Sequence, residues 1–124
     1  MGKRSIRKGK AFERRIARWL SSVLGMEVRR QTDEPQQGNV GDVRVSLSPS
    51  TRLVVQAKHQ KQPSPWRAIE EAESAADPDD IAVACVRRHG GEDIVVMRPQ
   101  VFRAMLDAYA GAKMHDLPSE VDGW

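Results

Sequence analysis

Cys85 is the only cysteine in 124 residues, so no internal disulfide can form and a disulfide-stapled secreted scaffold is excluded. It lies in the apolar run Ile81-Ala82-Val83-Ala84-Cys85-Val86, which reads as a buried strand with a core thiol, and a reducing, cytoplasmic setting fits. Long apolar runs are missing too. Nothing approaches the roughly 20 residues of a membrane span, and the basic N-terminal end leads into an amphipathic segment with no signal-peptide core after it. There is no internal repeat and no Cys/His spacing of the zinc type. Basic charge is absent from residues 115–124, which carry Asp116, Glu120 and Asp122 and no Lys or Arg.

What is present is charge of the opposite sign at the other end. Residues 3–18 hold Lys3, Arg4, Arg7, Lys8, Lys10, Arg14, Arg15 and Arg18 against Glu13 alone, although the formal net charge is only +3. A basic cluster of this density points to a polyanionic partner. The length suits one compact domain with one modest core. We read residues 1–112 as that domain, with a basic arm at 1–9, and 113–124 as a tail. Trp124, after Val121-Asp122-Gly123, fits either a disordered end or an anchor for a protein partner, and the sequence does not choose.

Apolar spacing gives the elements. Phe12, Ile16, Trp19, Leu20, Val23 and Leu24 recur at helical spacing and predict a helix over 10–24 stopped by Gly25. Residues 26–30 predict a short strand, and 31–40, with Pro35 and Gly38, a polar loop. Asp42-Val43-Arg44-Val45-Ser46-Leu47 alternates as a strand with Val43, Val45 and Leu47 on one side, and Val54-Val55-Gln56-Ala57-Lys58 predicts a buried strand beside it. Ser64-Pro65 is a helix start for 66–76, with Asp77-Pro78 as the stop. Strands over 81–86 and 94–97 flank a Gly90-Gly91 turn, and Pro99 opens a last helix with Val101, Phe102, Met105, Leu106 and Tyr109 inward. The order is α-β-β-β-α-β-β-α, an α/β fold with a mixed central sheet flanked by helices. Phe12, Trp19 and Trp66 are expected in the core rather than stacked on bases.

Two observations carry chemistry. Gln56 and Lys58, two apart on a strand, share one face, and Asp42 opens the neighbouring strand, so a carboxylate, an amide oxygen and an ammonium converge. Such a trio holds a hard divalent cation through oxygens and sets a positive charge beside the water it activates. Glu13 is the second: at about 100° per residue it falls inside the apolar arc of the first helix, between Leu20 and Leu24, where a carboxylate needs water, a cationic partner or a metal.

An acid on the first helix, an Asp at a strand start and polar-x-Lys on the next strand, followed by a helix, resembles the PD-(D/E)xK nucleases. Within them the chain is similar to the small archaeal-type and phage Holliday junction resolvases, through Gly9-Lys10-Ala11-Phe12-Glu13-Arg14, Val28-Arg29-Arg30, Gly41-Asp42-Val43, Val54-Val55-Gln56-Ala57-Lys58, Pro65-Trp66 leading to Glu70 and Glu73, Val86-Arg87-Arg88 and Val101-Phe102. The resemblance covers residues 8–110 and leaves out the tail. Three departures stand out. Gly41 replaces the motif's proline; Gln56 replaces its acid, as in restriction enzymes of the Mrr type; and His59 follows Lys58, on the opposite face and so structural.

The resemblance implies a restriction-endonuclease-like core and a metal-dependent endonuclease in the cytoplasm of a bacterial or phage-infected cell, cutting branched DNA as a homodimer. Mg²⁺ is the expected ion, with Mn²⁺ able to substitute. Asp42 is then the principal ligand, helped by the Gln56 side-chain oxygen and the Ala57 carbonyl, with Glu13 acting through water or a second ion. Lys58 tunes the attacking water or steadies charge on the phosphate. Arg7, Lys8, Lys10 and Arg14, with Arg29 and Arg30 at the rim, contact backbone phosphates. Two rival expectations are a restriction or repair nuclease on duplex or flapped DNA, and a non-catalytic DNA-binding protein that keeps only the basic surface.

Overall fold

A computed structural model of the chain describes the backbone of residues 3–28, 30 and 42–113, and the side chains of 9–28, 30 and 42–112. The segment expected as the 31–40 loop and the C-terminal tail beyond Lys113, Trp124 included, together with Gly41 and Arg29, lie outside the described residues. The order is α1 (Lys3–Leu24), β1 (Val43–Ser48), β2 (Thr51–Gln60), α2 (Pro65–Ala75), β3 (Ile81–Arg88), β4 (Asp93–Val96) and α3 (Pro99–Lys113).

Helix α1 begins at Lys3, so its backbone runs through most of the stretch expected as a basic arm. It ends where predicted. Gly25 takes φ +67° and its N–H donates to Ser21 O at 2.9 Å, a left-handed cap that a side chain would strain. Phe12, Ile16, Ala17 and Leu20 are buried, whereas Trp19 is 51% exposed and Val23 and Leu24 are also at the surface. The buried arc is therefore centred toward Leu20 and Ala17, which turns Glu13 inward and Trp19 outward.

The strands form one mixed sheet in the order β1-β2-β3-β4. β1 and β2 are antiparallel, with Val43 opposite Val55 and Val45 opposite Leu53; the register slips between Ser46 and Ser48, and Leu47 is exposed, not aligned with the two valines. β2 and β3 are parallel, bridged by α2, and β3 and β4 are antiparallel around Gly90, which has φ +70°. The strand predicted over 26–30 does not form as such: its described part makes a single bridge, Arg30 to Val43. The Val28 N–H is already taken by Ser21 Oγ at 2.9 Å, which holds this segment against the end of α1 and withdraws that donor from a ladder.

Alternation along β2 divides the core between two layers. Val55 and Ala57 pack with Cys85, Val43, Val45, Phe12, Ile16 and Leu20 on the α1 face. On the other face Ala68, Ile69 and Ala72 of α2 pack against Ala82, Ala84 and Val86 of β3. Cys85 is the expected core thiol, its pKa pushed up by burial to about 11, which keeps it protonated and unreactive.

Helix α2 starts on Ser64, whose hydroxyl accepts the Arg67 N–H at 3.2 Å, with Pro65 in the first turn. Its C-terminal end is tied to the sheet by Arg44 Nη2 donating to Ala75 O at 2.7 Å, and the following turn by the forked pairing of Arg52 with Asp80 at 3.2 and 2.9 Å. Trp66, expected inside, is 68% exposed, because helical spacing sets it on the side of α2 away from the buried Ala68, Ile69, Ala72 and Ala75; the Arg98 guanidinium covers its ring at 5.7 Å. Helix α3 corrects the prediction most. Phe102, Met105, Leu106 and Tyr109 all face outward rather than into the core, since the four-residue β4 ends at the sheet's edge and Pro99 starts the helix beyond the cover of α1 and α2.

Candidate functional site

The site forms where β1 begins against the middle of β2. The Asp42 N–H donates to Val55 O at 3.1 Å, and Asp42 Oδ2 accepts the Ala57 N–H at 2.8 Å, so this side chain is fixed across the neighbouring backbone. Continuing the β1–β2 register by one residue sets Asp42 opposite Gln56. The alternation that sends Val55 and Ala57 to the α1 face sends Gln56 and Lys58 to the α2 face. There they meet Glu71. Glu71 Oε2 accepts from Gln56 Nε2 at 3.3 Å and pairs with Lys58 Nζ at 2.6 Å.

Glu13 reaches the same corner from α1. Its Oε2 stands 3.6 Å from Arg30 Nη1, and the two side chains are only 14% and 12% exposed. Glu13 and Asp42 lie within hydrogen-bonding reach of each other. Burial raises the Glu13 pKa above the ordinary glutamate value and the Asp42 charge adds to it, against the opposing pull of Arg30 and Lys10. Burial likewise raises Asp42, and the Glu71 charge adds to that; the Ala57 N–H, Lys58 and the contact with Glu13 oppose it. Two neighbouring carboxyls are thus raised together, chiefly because burial takes them out of water.

Gln56 is the one buried polar residue of the described core, 9% exposed, and its Oε1 has no hydrogen-bond partner there; neither has Glu13 Oε2. A buried amide oxygen without a donor costs free energy unless something else takes its lone pairs. Among the described residues no three His, Cys, Asp or Glu side chains group closely enough to hold a metal by themselves. What the corner offers is a mixed oxygen set, the Asp42 carboxylate, Gln56 Oε1 and the Ala57 carbonyl, with Glu13 and Glu71 at its margins. Hard divalent cations take such donors, and the orphaned amide oxygen and raised carboxyls fit one.

The basic residues divide. Lys10 and Arg14 are exposed on α1, whereas the side chains of Arg7 and Lys8, and all of Arg29, lie outside the described residues. Arg30, expected at the rim, is turned inward against Glu13. His59 faces away from Lys58, edge-on to Phe12 at 5.8 Å and to His89 at 5.0 Å, in a structural position. Glu73 is engaged elsewhere, forked by Arg98 at 2.9 Å on both oxygens, which holds its carboxyl below the usual range. Glu71 is the residue that sequence reasoning passed over. The signal was available: it sits three residues after Ala68 and four before Ala75, both buried, so it borders the inward face of α2.

Comparison with protein-family models, curated proteins and solved structures finds no match to this chain.

Proposed function

We propose that the chain is a metal-dependent DNA endonuclease with a restriction-endonuclease-like core, acting in the cytoplasm on branched DNA as a homodimer. The observation that carries this reading is the fixing of Asp42 across β2 opposite Gln56, with Lys58 one step further along the same face. Asp42, Gln56 Oε1 and the Ala57 carbonyl would hold Mg²⁺, or Mn²⁺ in its place, with Glu13 acting through water or a second ion. When bound, such an ion lowers the pKa of water and offsets charge on the scissile phosphate. Lys58 places an ammonium beside that water and steadies the negative charge that builds on the phosphate. Lys10 and Arg14, with Arg7, Lys8 and Arg29, bind backbone phosphates, and Arg30 serves from within by offsetting Glu13.

The homodimer is supported by the outward apolar face of α3 and by the exposed Ile94 and Val95 on β4. Two symmetric cuts need two sites related by a twofold axis, and an isologous contact supplies one. The neutral residue at position 56 favours a second reading, a DNA-binding protein of this fold without catalysis; a nuclease of restriction or repair type is a third.

One assay separates them. Purified protein with Mg²⁺, Mn²⁺ or EDTA is incubated with four-way, flapped, single-stranded and linear DNA, beside Asp42→Asn and Lys58→Ala. We expect metal-dependent cutting of the four-way junction, loss of more than about 100-fold in rate in each variant, and gel-shift binding within about threefold of wild type. Binding without cleavage in any metal would establish the non-catalytic reading, and preference for linear or flapped DNA the third.

A further inference from the structure

We propose that Glu71 is the acidic cation ligand of this site, a carboxylate supplied from α2 in place of the one absent at position 56. The inference rests on the nuclease reading and extends it to a residue outside the motif. Position 56 presents an amide, and the amide has a direction: Nε2 donates to Glu71, which leaves Oε1, on the other branch, as the end available to a cation. Reversing the amide would set its oxygen against the Glu71 carboxylate, so Glu71 fixes the orientation. That oxygen is orphaned in a side chain 9% exposed, an independent sign that the corner takes a ligand.

Charge supports the same assignment. A strand Asp and a strand Glu would offer two negative charges to a cation, and Asp42 with Glu71 restores that number around a neutral Gln56. The Glu71 charge is felt at Asp42. Among the described residues both contacts of Glu71 fall on Oε2, which leaves the lone pairs of Oε1 for a cation. Lys58 completes the arrangement: its ammonium offsets Glu71 when no ion is bound, and shares that carboxylate when one is. An ion pair serving stability alone would leave the Gln56 oxygen unexplained.

Mn²⁺ binding by full-length protein, followed by calorimetry without DNA, tests this with no recourse to activity. The set is wild type, Asp42→Asn, Glu71→Gln, Gln56→Glu and the double variant Gln56→Glu/Glu71→Gln, each checked for folding by circular dichroism. We expect Glu71→Gln to weaken Mn²⁺ binding at least about tenfold, Gln56→Glu to tighten it, and the double variant to return within about threefold of wild type. If Glu71→Gln binds as wild type does while Asp42→Asn does not, Glu71 is a structural partner of Lys58 and only this inference falls. Weak binding by Glu71→Gln that the double variant fails to recover also overturns the exchange. A wild type that binds no Mn²⁺ would overturn both this inference and the metal-dependent nuclease reading.

Discussion

Asp42 is held by backbone and burdened by burial, and the two facts pull its energetics in opposite directions. The Ala57 N–H stabilises its carboxylate, but desolvation and neighbouring negative charge raise its pKa above the ordinary 3.8, as Glu13 is raised above 4.5. The native state then binds more protons than the unfolded chain once pH passes those ordinary values. Stability therefore falls as pH rises from there through the raised native values, and above them the loss is complete. Asp42→Asn keeps an oxygen for the Ala57 N–H and removes the charge. In EDTA at neutral pH its Tm should exceed that of wild type by about 2–5 °C, with the gap closing toward pH 4. Added Mn²⁺ should raise the wild-type Tm and leave the variant unmoved. A variant less stable than wild type at pH 7 would mean that the site carries no such electrostatic cost. The places of Asp42, Gln56 and Lys58 were legible in the sequence because two-residue alternation is set locally. Glu71 was legible only as a residue bordering the apolar face of α2; that it meets Gln56 depends on how the parallel crossover sets α2 over the sheet, which local spacing does not show.

Among the elements, those bounded by strong local signals came out as read: α1 stops at Gly25, α2 starts on Ser64-Pro65, and the apolar run from Ile81 is a central strand. Periodicity failed at α3, since spacing shows that a helix has an apolar face but not what covers it. Phe102, Met105, Leu106 and Tyr109 form a ridge that nothing in the described chain covers. A second copy is the occupant that the proposed activity requires. Leu106→Glu puts a carboxylate in the middle of that ridge, where burial in an interface would cost several kcal/mol. By light scattering we expect wild type at twice 13.9 kDa and the variant at 13.9 kDa with unchanged circular dichroism. A monomeric wild type at micromolar concentration would remove the dimer from the proposal.

At the scale of the whole chain the charge is uneven at the two ends of the sequence, with eight basic residues over 3–18, on α1, and three acidic residues and no Lys or Arg over 115–124. Because α1 also delivers Glu13 to the site, the helix that would gather phosphates is the one that positions a carboxylate beside Asp42. DNA drawn to Lys10 and Arg14 would thus lie next to the candidate chemistry. Phosphate binding of this kind releases counterions and is read in the salt dependence of affinity, each contact contributing about 0.9 to the log–log slope on duplex DNA. Lys8→Ala/Lys10→Ala should make the slope shallower by about two per protomer while sequence preference stays flat, since neither lysine reads a base edge. Binding isotherms from about 50 to 300 mM salt on one junction would measure it. If the double variant kept the wild-type slope, the basic end of α1 would not face DNA, and the link between the polyanion surface and the Asp42 corner would be lost.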